Sequence, residues 1–194
     1  FISPYAVIGI YMFDRNVFEA VNNIKPSARG ELEITETIQY LIDHGLNVRA
    51  HQLNGWWIDT GKMSDILEAN RLILDVLEPH QAGQVDSTSK IEGRVVLEKD
   101  AVVINSTIRG PAIIGERTRI VNAYVGPFTS IHNDCVLENC EIEHSVVLEH
   151  THISDTSARI ADSLIGRNVE IGRSGGQTKT LKIMLGDYSK VGIL

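Results

Sequence analysis

Hydrophobic and polar residues follow two different rhythms along this chain, and the change falls near residue 80. Before it, apolar residues occur in long segments separated by turn signals. Tyr5 to Met12 reads as a buried strand. Asp14 is placed to cap a short helix with Val17, Phe18 and Val21 on its apolar side. Glu33 to His44 reads as a helix with Ile34, Ile38, Leu41 and Ile42 on one face and Gly45 positioned to end it. Asn47 to Leu53 alternates as a strand does, and GWWIDTGK reads as a compact loop. Met63 to Leu77 is the strongest helical pattern, with Ile66, Leu67, Leu74 and Leu77 near helical spacing and Pro79 and Gly83 beyond its end. The order strand, helix, helix, strand, loop, helix is the back half of an α/β domain. The opening FISPYAVIGIYMFD has no initiator Met and reads as the middle of a domain, so a fragment of a longer protein is expected.

After residue 80 the chain repeats itself. Steps of 17 connect Ile91, Ile108, Val125, Ile142 and Arg159; Leu97, Ile114, Ile131, Leu148 and Ile165; and Val103, Ile120, Leu137, Ser154 and Ile171. Thirteen of these 15 positions are Ile, Leu or Val, against roughly five by chance in a segment about one-third aliphatic. The three series are six, six and five residues apart, which describes a triangular coil with one short strand per side and the aliphatic residues stacked inside. Val95, Ala112, Thr129, Val146 and Ser163 would fill the inward midpoint of one side. Ala101, Thr118, Cys135, His152 and Val169 would fill another. Asn105, Asn122 and Asn139 recur at a corner, where Asn tolerates left-handed backbone and stacked amides can bond between coils. The pattern predicts a parallel β-helix of about five coils. RSGGQTK interrupts the period, and Leu185 and Val191 in LGDYSKVG fit its resumption. The expected domains are 1–84 and 85–194.

Composition narrows the chemistry. The net charge is −7, from 18 Lys and Arg against 25 Asp and Glu, which disfavours non-specific binding to nucleic acid or anionic membrane. No apolar run approaches the ~20 residues of a membrane span, and no basic-then-apolar leader opens the chain, so a cytoplasmic protein is expected. Cys135 and Cys140 are too few for a disulfide framework and wrongly spaced for zinc.

Three stretches carry candidate chemistry. In YAVIGIYMFD, Gly9 marks either close backbone approach to a ligand or a bulge. In KPSARGELEIT, Arg29 and Gly30 precede a predicted helix. Arg29 suits a phosphate held with helix N-terminal N–H groups, or it is a solvated loop residue beside acidic residues that favour a first helical turn. In GWWIDTGKMSDILEAN, Asp59 follows Trp56 and Trp57. A carboxylate among buried aromatics is costly unless paired or metal-bound, and one carboxylate is an ordinary protein contribution to Mg²⁺; an Asx turn or helix cap is the other reading.

These stretches match, in order and spacing, signatures of the sugar-1-phosphate nucleotidylyltransferases. The whole chain resembles the C-terminal half of such an enzyme and is most similar to the long-form glucose-1-phosphate thymidylyltransferases, whose tail NSTIRGPAIIGERTRI and LGDYSKVGI also resemble. The resemblance implies an α/β nucleotidyltransferase portion followed by a left-handed β-helix of the hexapeptide type. It implies that Val7 and Tyr11 line a sugar pocket, that Arg29 contacts the sugar phosphate, and that Asp59 holds Mg²⁺; Arg29 and Asp59 are the catalytic pair it implies. The substrates would be a sugar 1-phosphate and dTTP. The family's N-terminal Gly-rich loop, second Mg²⁺-binding Asp and Glu-Lys-Pro lysine have no counterpart here, so this portion alone would be inactive. Two other readings stand beside it. One is a hexapeptide acyltransferase using a histidine of the repeat (His132, His144, His150 or His152) as general base. In that set, His152 falls at an inward midpoint and His132 at a corner. The other is a non-catalytic β-helix through which the chain forms homo-oligomers, with Cys140 either at an interface or small filler.

Overall fold

The computed structural model describes residues 5–173 and 189–192. They form two compact units, residues 1–57 and residues 58–194.

The first unit holds two helices, α1 (Asn16–Asn23) and α2 (Ile34–Asp43). Asp14 Oδ1 accepts from the Asn16 N–H at 2.9 Å, which turns the chain into α1. The buried residue of α1 is Ala20, whereas Phe18, expected on the inner side, is exposed. α2 buries Thr37 and Leu41. It ends as the sequence predicts: Gly45 adopts φ +71°, its N–H donates to Ile42 O (2.9 Å), and the Leu46 N–H donates to Leu41 O (3.0 Å). That pair of bonds satisfies the last carbonyls of the helix in a Schellman motif. The two expected strands are not formed. Tyr5 to Met12 and Asn47 to Leu53 carry no ladder, and Val7, Ile10, Met12, Val48 and Leu53 are exposed. Alternation makes a segment competent to pair, but a strand exists only where another segment completes its hydrogen bonds. No described segment of this unit does so.

The second unit opens with α3 (Met63–Asp75) and continues as a parallel β-helix. Its strands make three all-parallel sheets. The first runs through His80–Gln81, Val95–Leu97, Ala112–Ile114, Thr129–Ile131, Val146–Val147 and Leu164–Ile165. The second runs through Gln84–Val85, Val102–Ile104, Arg119–Val121, Val136–Glu138, His152–Ser154 and Glu170–Ile171. The third holds Lys90–Glu92, Thr107–Arg109, Tyr124–Val125, Glu141–Glu143 and Ile160–Ala161. α3 buries Leu67 and Leu74. It is fastened to the first sheet by Asn70, whose amide donates to Phe128 O (3.0 Å) and accepts from the Ser130 hydroxyl (2.6 Å).

The interior corrects the repeat in its fourth coil. Ile131 pairs with Val147 and Leu137 with Ile153, steps of 16; Ile142 pairs with Ile160, Val147 with Ile165 and Ile153 with Ile171, steps of 18. The corner between Ile142 and Val147 is one residue shorter than its predecessors, and the one between Ile153 and Ile160 is two residues longer. The shift moves Leu148, Ser154 and Arg159 off the inward series and puts Val147, Ile153 and Ile160 there, so all 15 positions become aliphatic. Ser145 and Thr151 therefore occupy the inward midpoints expected for Val146 and His152. Thr151 is buried and His152 is exposed. The inward hydroxyls are satisfied by backbone: Ser145 Oγ donates to Glu143 O (2.7 Å) and Thr151 Oγ1 to Gly166 O (2.8 Å).

The corners show why left-handed backbone residues recur. Asn105, Asn122 and Asn139 have φ between +44° and +49°. Their side chains form the expected ladder, Asn105 Nδ2 to Asn122 Oδ1 (2.8 Å) and Asn122 Nδ2 to Asn139 Oδ1 (3.2 Å), which continues from Asn139 Nδ2 to Asp155 Oδ1 (2.8 Å). Residues 174–179 of RSGGQTK, and Leu185, lie outside the described residues. Val191 is described and is exposed, outside any strand.

Candidate functional site

Val7, Tyr11 and Arg29 belong to the first unit and Asp59 to the second. Val7 and Tyr11 lie on the extended segment and are exposed, with the Tyr11 ring stacked on Phe13 (centroids 5.9 Å, planes 17° apart). Gly9 between them has φ +75° with open space where a Cβ would stand. That φ is one glycine adopts without strain.

Arg29 sits in a tight, internally bonded turn. The Gly30 N–H donates to Ser27 O and the Ser27 N–H to Glu31 O, both at 2.8 Å, with Gly30 at φ +79°. The Arg29 N–H donates to Ser27 Oγ (3.2 Å), and Ser27 Oγ donates to Glu33 Oε1 (2.9 Å). The same carboxylate oxygen takes Arg29 Nη2 (2.7 Å) and Nε (3.1 Å). Arg29 and Ser27 hold the Glu33 carboxyl below its ordinary pKa. Glu33 is the residue before α2, so one carboxylate ties the turn to the start of that helix. The four-residue spacing from Arg29 is the sequence signal for the pair. The guanidinium remains exposed, and its Nη1 edge is free of these bonds.

Asp59 accepts the Gly61 N–H on Oδ1 at 3.1 Å, an Asx-type turn leading into α3. Trp56 and Trp57 are exposed, at 58% and 47%. The expectation of a carboxylate among buried aromatics is therefore corrected: Asp59 is exposed and needs no partner to offset burial. The donor set still fits one kind of metal site. Among the described residues no three His, Cys, Asp or Glu groups gather closely enough to hold an ion alone. An exposed single carboxylate suits Mg²⁺ that takes its remaining ligands from water and phosphate.

The histidines of the β-helix separate clearly. His144 Nδ1 is 2.5 Å from Asp162 Oδ1, with its ring edge-on to Phe128. His150 is a corner residue at φ +59°. His132 is half exposed beside a cavity of about 310 Å³, with Nδ1 3.7 Å from Glu149 Oε2, and Glu149 also pairs with Arg167. Cys140 is buried, with its thiol pushed up to about 11 by desolvation, which identifies it as filler.

A turn-bound arginine before one helix and an Asx-turn carboxylate before another suit a segment that handles phosphate, and a parallel β-helix follows it. In agreement, residues 2–76 match the nucleotidyl transferase family model. The chain as a whole is homologous to proteins named glucose-1-phosphate thymidylyltransferase. It is 47% identical over 191 residues to the one from Streptomyces griseus, covering 98% of this chain and 54% of that protein. It is 45% identical over 191 residues to the one from Streptomyces antibioticus, covering 98% and 53%. It is also 39% identical over 167 residues to the bifunctional protein GlmU of Methanocaldococcus jannaschii, covering 84% and 40%. The chain spans about half the length of the curated relatives it matches.

Proposed function

We propose that this chain is the sugar-side portion of a glucose-1-phosphate thymidylyltransferase, which joins dTTP and glucose 1-phosphate into dTDP-glucose and releases pyrophosphate. The observation that carries this reading is the 47% identity extending through both parts of the chain, not the transferase segment alone. A phosphate oxygen of the sugar phosphate attacks the α-phosphorus of dTTP, and the oxygen bridging α- and β-phosphorus leaves with pyrophosphate. Arg29 is held by Glu33 through Nε and Nη2, so its Nη1 edge is set in advance to steady the attacking phosphate. Val7 and Tyr11 offer an apolar side and a ring to the hexose. Asp59 would hold Mg²⁺, which when bound neutralises phosphate charge. The enzyme is cytoplasmic in this reading and assembles as a homo-oligomer through the β-helix.

The test is Asp59→Asn in a polypeptide extended to the length of the Streptomyces relatives, assayed with dTTP and glucose 1-phosphate. Asparagine keeps the oxygen that accepts from Gly61, so the turn survives while the charge is lost. Turnover should vanish with the melting temperature unchanged. Near-normal turnover would refute the metal assignment, and an inactive unsubstituted protein would refute the substrate pair.

One observation favours a second reading. His132 lines a cavity where it could serve as a general base for acyl transfer, with Glu149 3.7 Å from its Nδ1. Calorimetry with acetyl-CoA separates the two: heat of binding supports it, and no heat removes it.

A further inference from the structure

The longer corner of the fourth coil has a neighbour that the transferase reading does not use. A groove of about 500 Å³ runs along the Asn ladder, lined by the ladder itself with Thr107, Tyr124 and Glu141, and Thr156 stands at the Asp155 end of that ladder. Thr156 lies in the two-residue expansion between Ile153 and Ile160. The expansion therefore ends the ladder and bounds the groove. We infer that this groove binds a neutral saccharide. The inference goes beyond the transferase reading and does not depend on it.

The chemistry of the lining selects the ligand class. Each ladder amide spends one N–H on its neighbour and keeps a second N–H and a carbonyl lone pair, so the three present donors and acceptors side by side. A hydroxyl is both donor and acceptor and matches that array, whereas a phosphate could use only the donors. Glu141 is the one ionisable carboxylate of the lining, and Arg159 already neutralises it at 2.8 Å. The same guanidinium lies 4.8 Å from the Tyr124 ring centroid, which fixes the ring as a half-buried wall. Among the described residues the lining holds no Lys, Arg or His, and the adjacent Arg159 is already paired, so an anionic ligand or a nucleic acid meets no unpaired cation there. Two ladder steps of ~4.8 Å make the floor ~10 Å long, about the length of a disaccharide. A further mark of an unfinished polar site is Thr156 Oγ1, which is buried without a hydrogen-bond partner among the described residues.

The probe is maltose, titrated into the 194-residue protein while the side-chain amide resonances of Asn105, Asn122 and Asn139 are followed by NMR. Saturable shifts at these amides are expected, with millimolar affinity. Thr107→Val, which keeps shape and removes one hydroxyl, should weaken binding about fivefold, the loss of one hydrogen bond. Glucose 1-phosphate is the second arm. Equal or weaker binding than maltose supports recognition of the neutral ring. No saturable shift up to ~100 mM maltose overturns the proposal. So does binding confined to the phosphorylated sugar, or binding unchanged in both Thr107→Val and Tyr124→Ala.

Discussion

Replacing Ile153 and Ser154 in turn by alanine tests the register of the fourth coil, because a strict step of 17 and the structure assign the two residues opposite roles. By strict repetition Ser154 follows Leu137 inward; in the structure Ile153 does so, fully buried between Leu137 and Ile171. Truncating a buried Ile to Ala removes its methyl and methylene groups and leaves a cavity, a cost of about 2–5 kcal/mol. The stacked geometry places Ile153 toward the middle of that range, since neighbours above and below are both held by ladder hydrogen bonds and cannot collapse onto the gap. A loss of about 3 kcal/mol, at about 2–4 °C per kcal/mol, lowers the melting temperature by about 6–12 °C. Ser154 points outward and its replacement should change stability by no more than ~0.5 kcal/mol. Circular dichroism in the β-sheet band reads the unfolding of the second unit. Trp56 and Trp57, both in the first unit, give a fluorescence signal separate from it. Equal losses for the two variants, or a larger loss for Ser154→Ala, would refute the register and every inward assignment beyond Ile142.

Three further expectations follow from the same structure. Asn139→Ala should cost about 2–3 kcal/mol, because it removes two ladder bonds and strains a φ of +49°, and Asn139→Gly should recover the strain share; equal losses would assign the effect to the ladder alone. Cys135 and Cys140 have raised thiol pKa values, both through desolvation, so Ellman's reagent at pH 8 should label neither in the folded protein and both after denaturation; prompt reaction of Cys140 would place it at the surface. Arg117 holds the Asp134 carboxyl below its ordinary value, and a Ser89 hydrogen bond does the same for Asp86. Groups lowered by folding add stability that is present above the ordinary carboxylate range and lost as pH falls through the lowered values. Stability should therefore fall as acid is added below about pH 4. Arg117→Gln should raise the Asp134 titration midpoint measured by NMR, and an unchanged midpoint would refute the pairing.

The β-helix was legible in the sequence because its interior admits one aliphatic residue per side per coil. What fixed-period stepping could not see was a pair of opposite changes in corner length. The trace was there: Ser154 and Arg159 broke their series while Ile153 and Ile160, each one residue away on opposite sides, stood ready to complete them. Helix ends were legible for a local reason, since Gly45 and the carbonyls it caps lie within five residues of one another. The first unit was less so. Tyr5 to Met12 and Asn47 to Leu53 have the composition of strands, but pairing is a property of two segments, and neither finds a partner among the described residues. For the candidate site, Arg29 and Asp59 stood out by residue type and position before helices. Their immediate partners, Glu33 and the Gly61 N–H, emerged only from geometry, and the exposure of Trp56 and Trp57 removed the burial argument first attached to Asp59.

All ladder hydrogen bonds of the β-helix run along one axis, from each coil to the next. Tension applied along that axis would load a single coil boundary at a time, as in opening a zipper, rather than shear many bonds together. Each boundary that opens frees one coil of 16 to 18 residues, which extends to roughly 50–60 Å at ~3.4 Å per residue. Pulled in an optical trap, this part of the chain would lengthen in near-equal increments, and the altered coil between Ile142 and Ile171 would break the regularity of the steps.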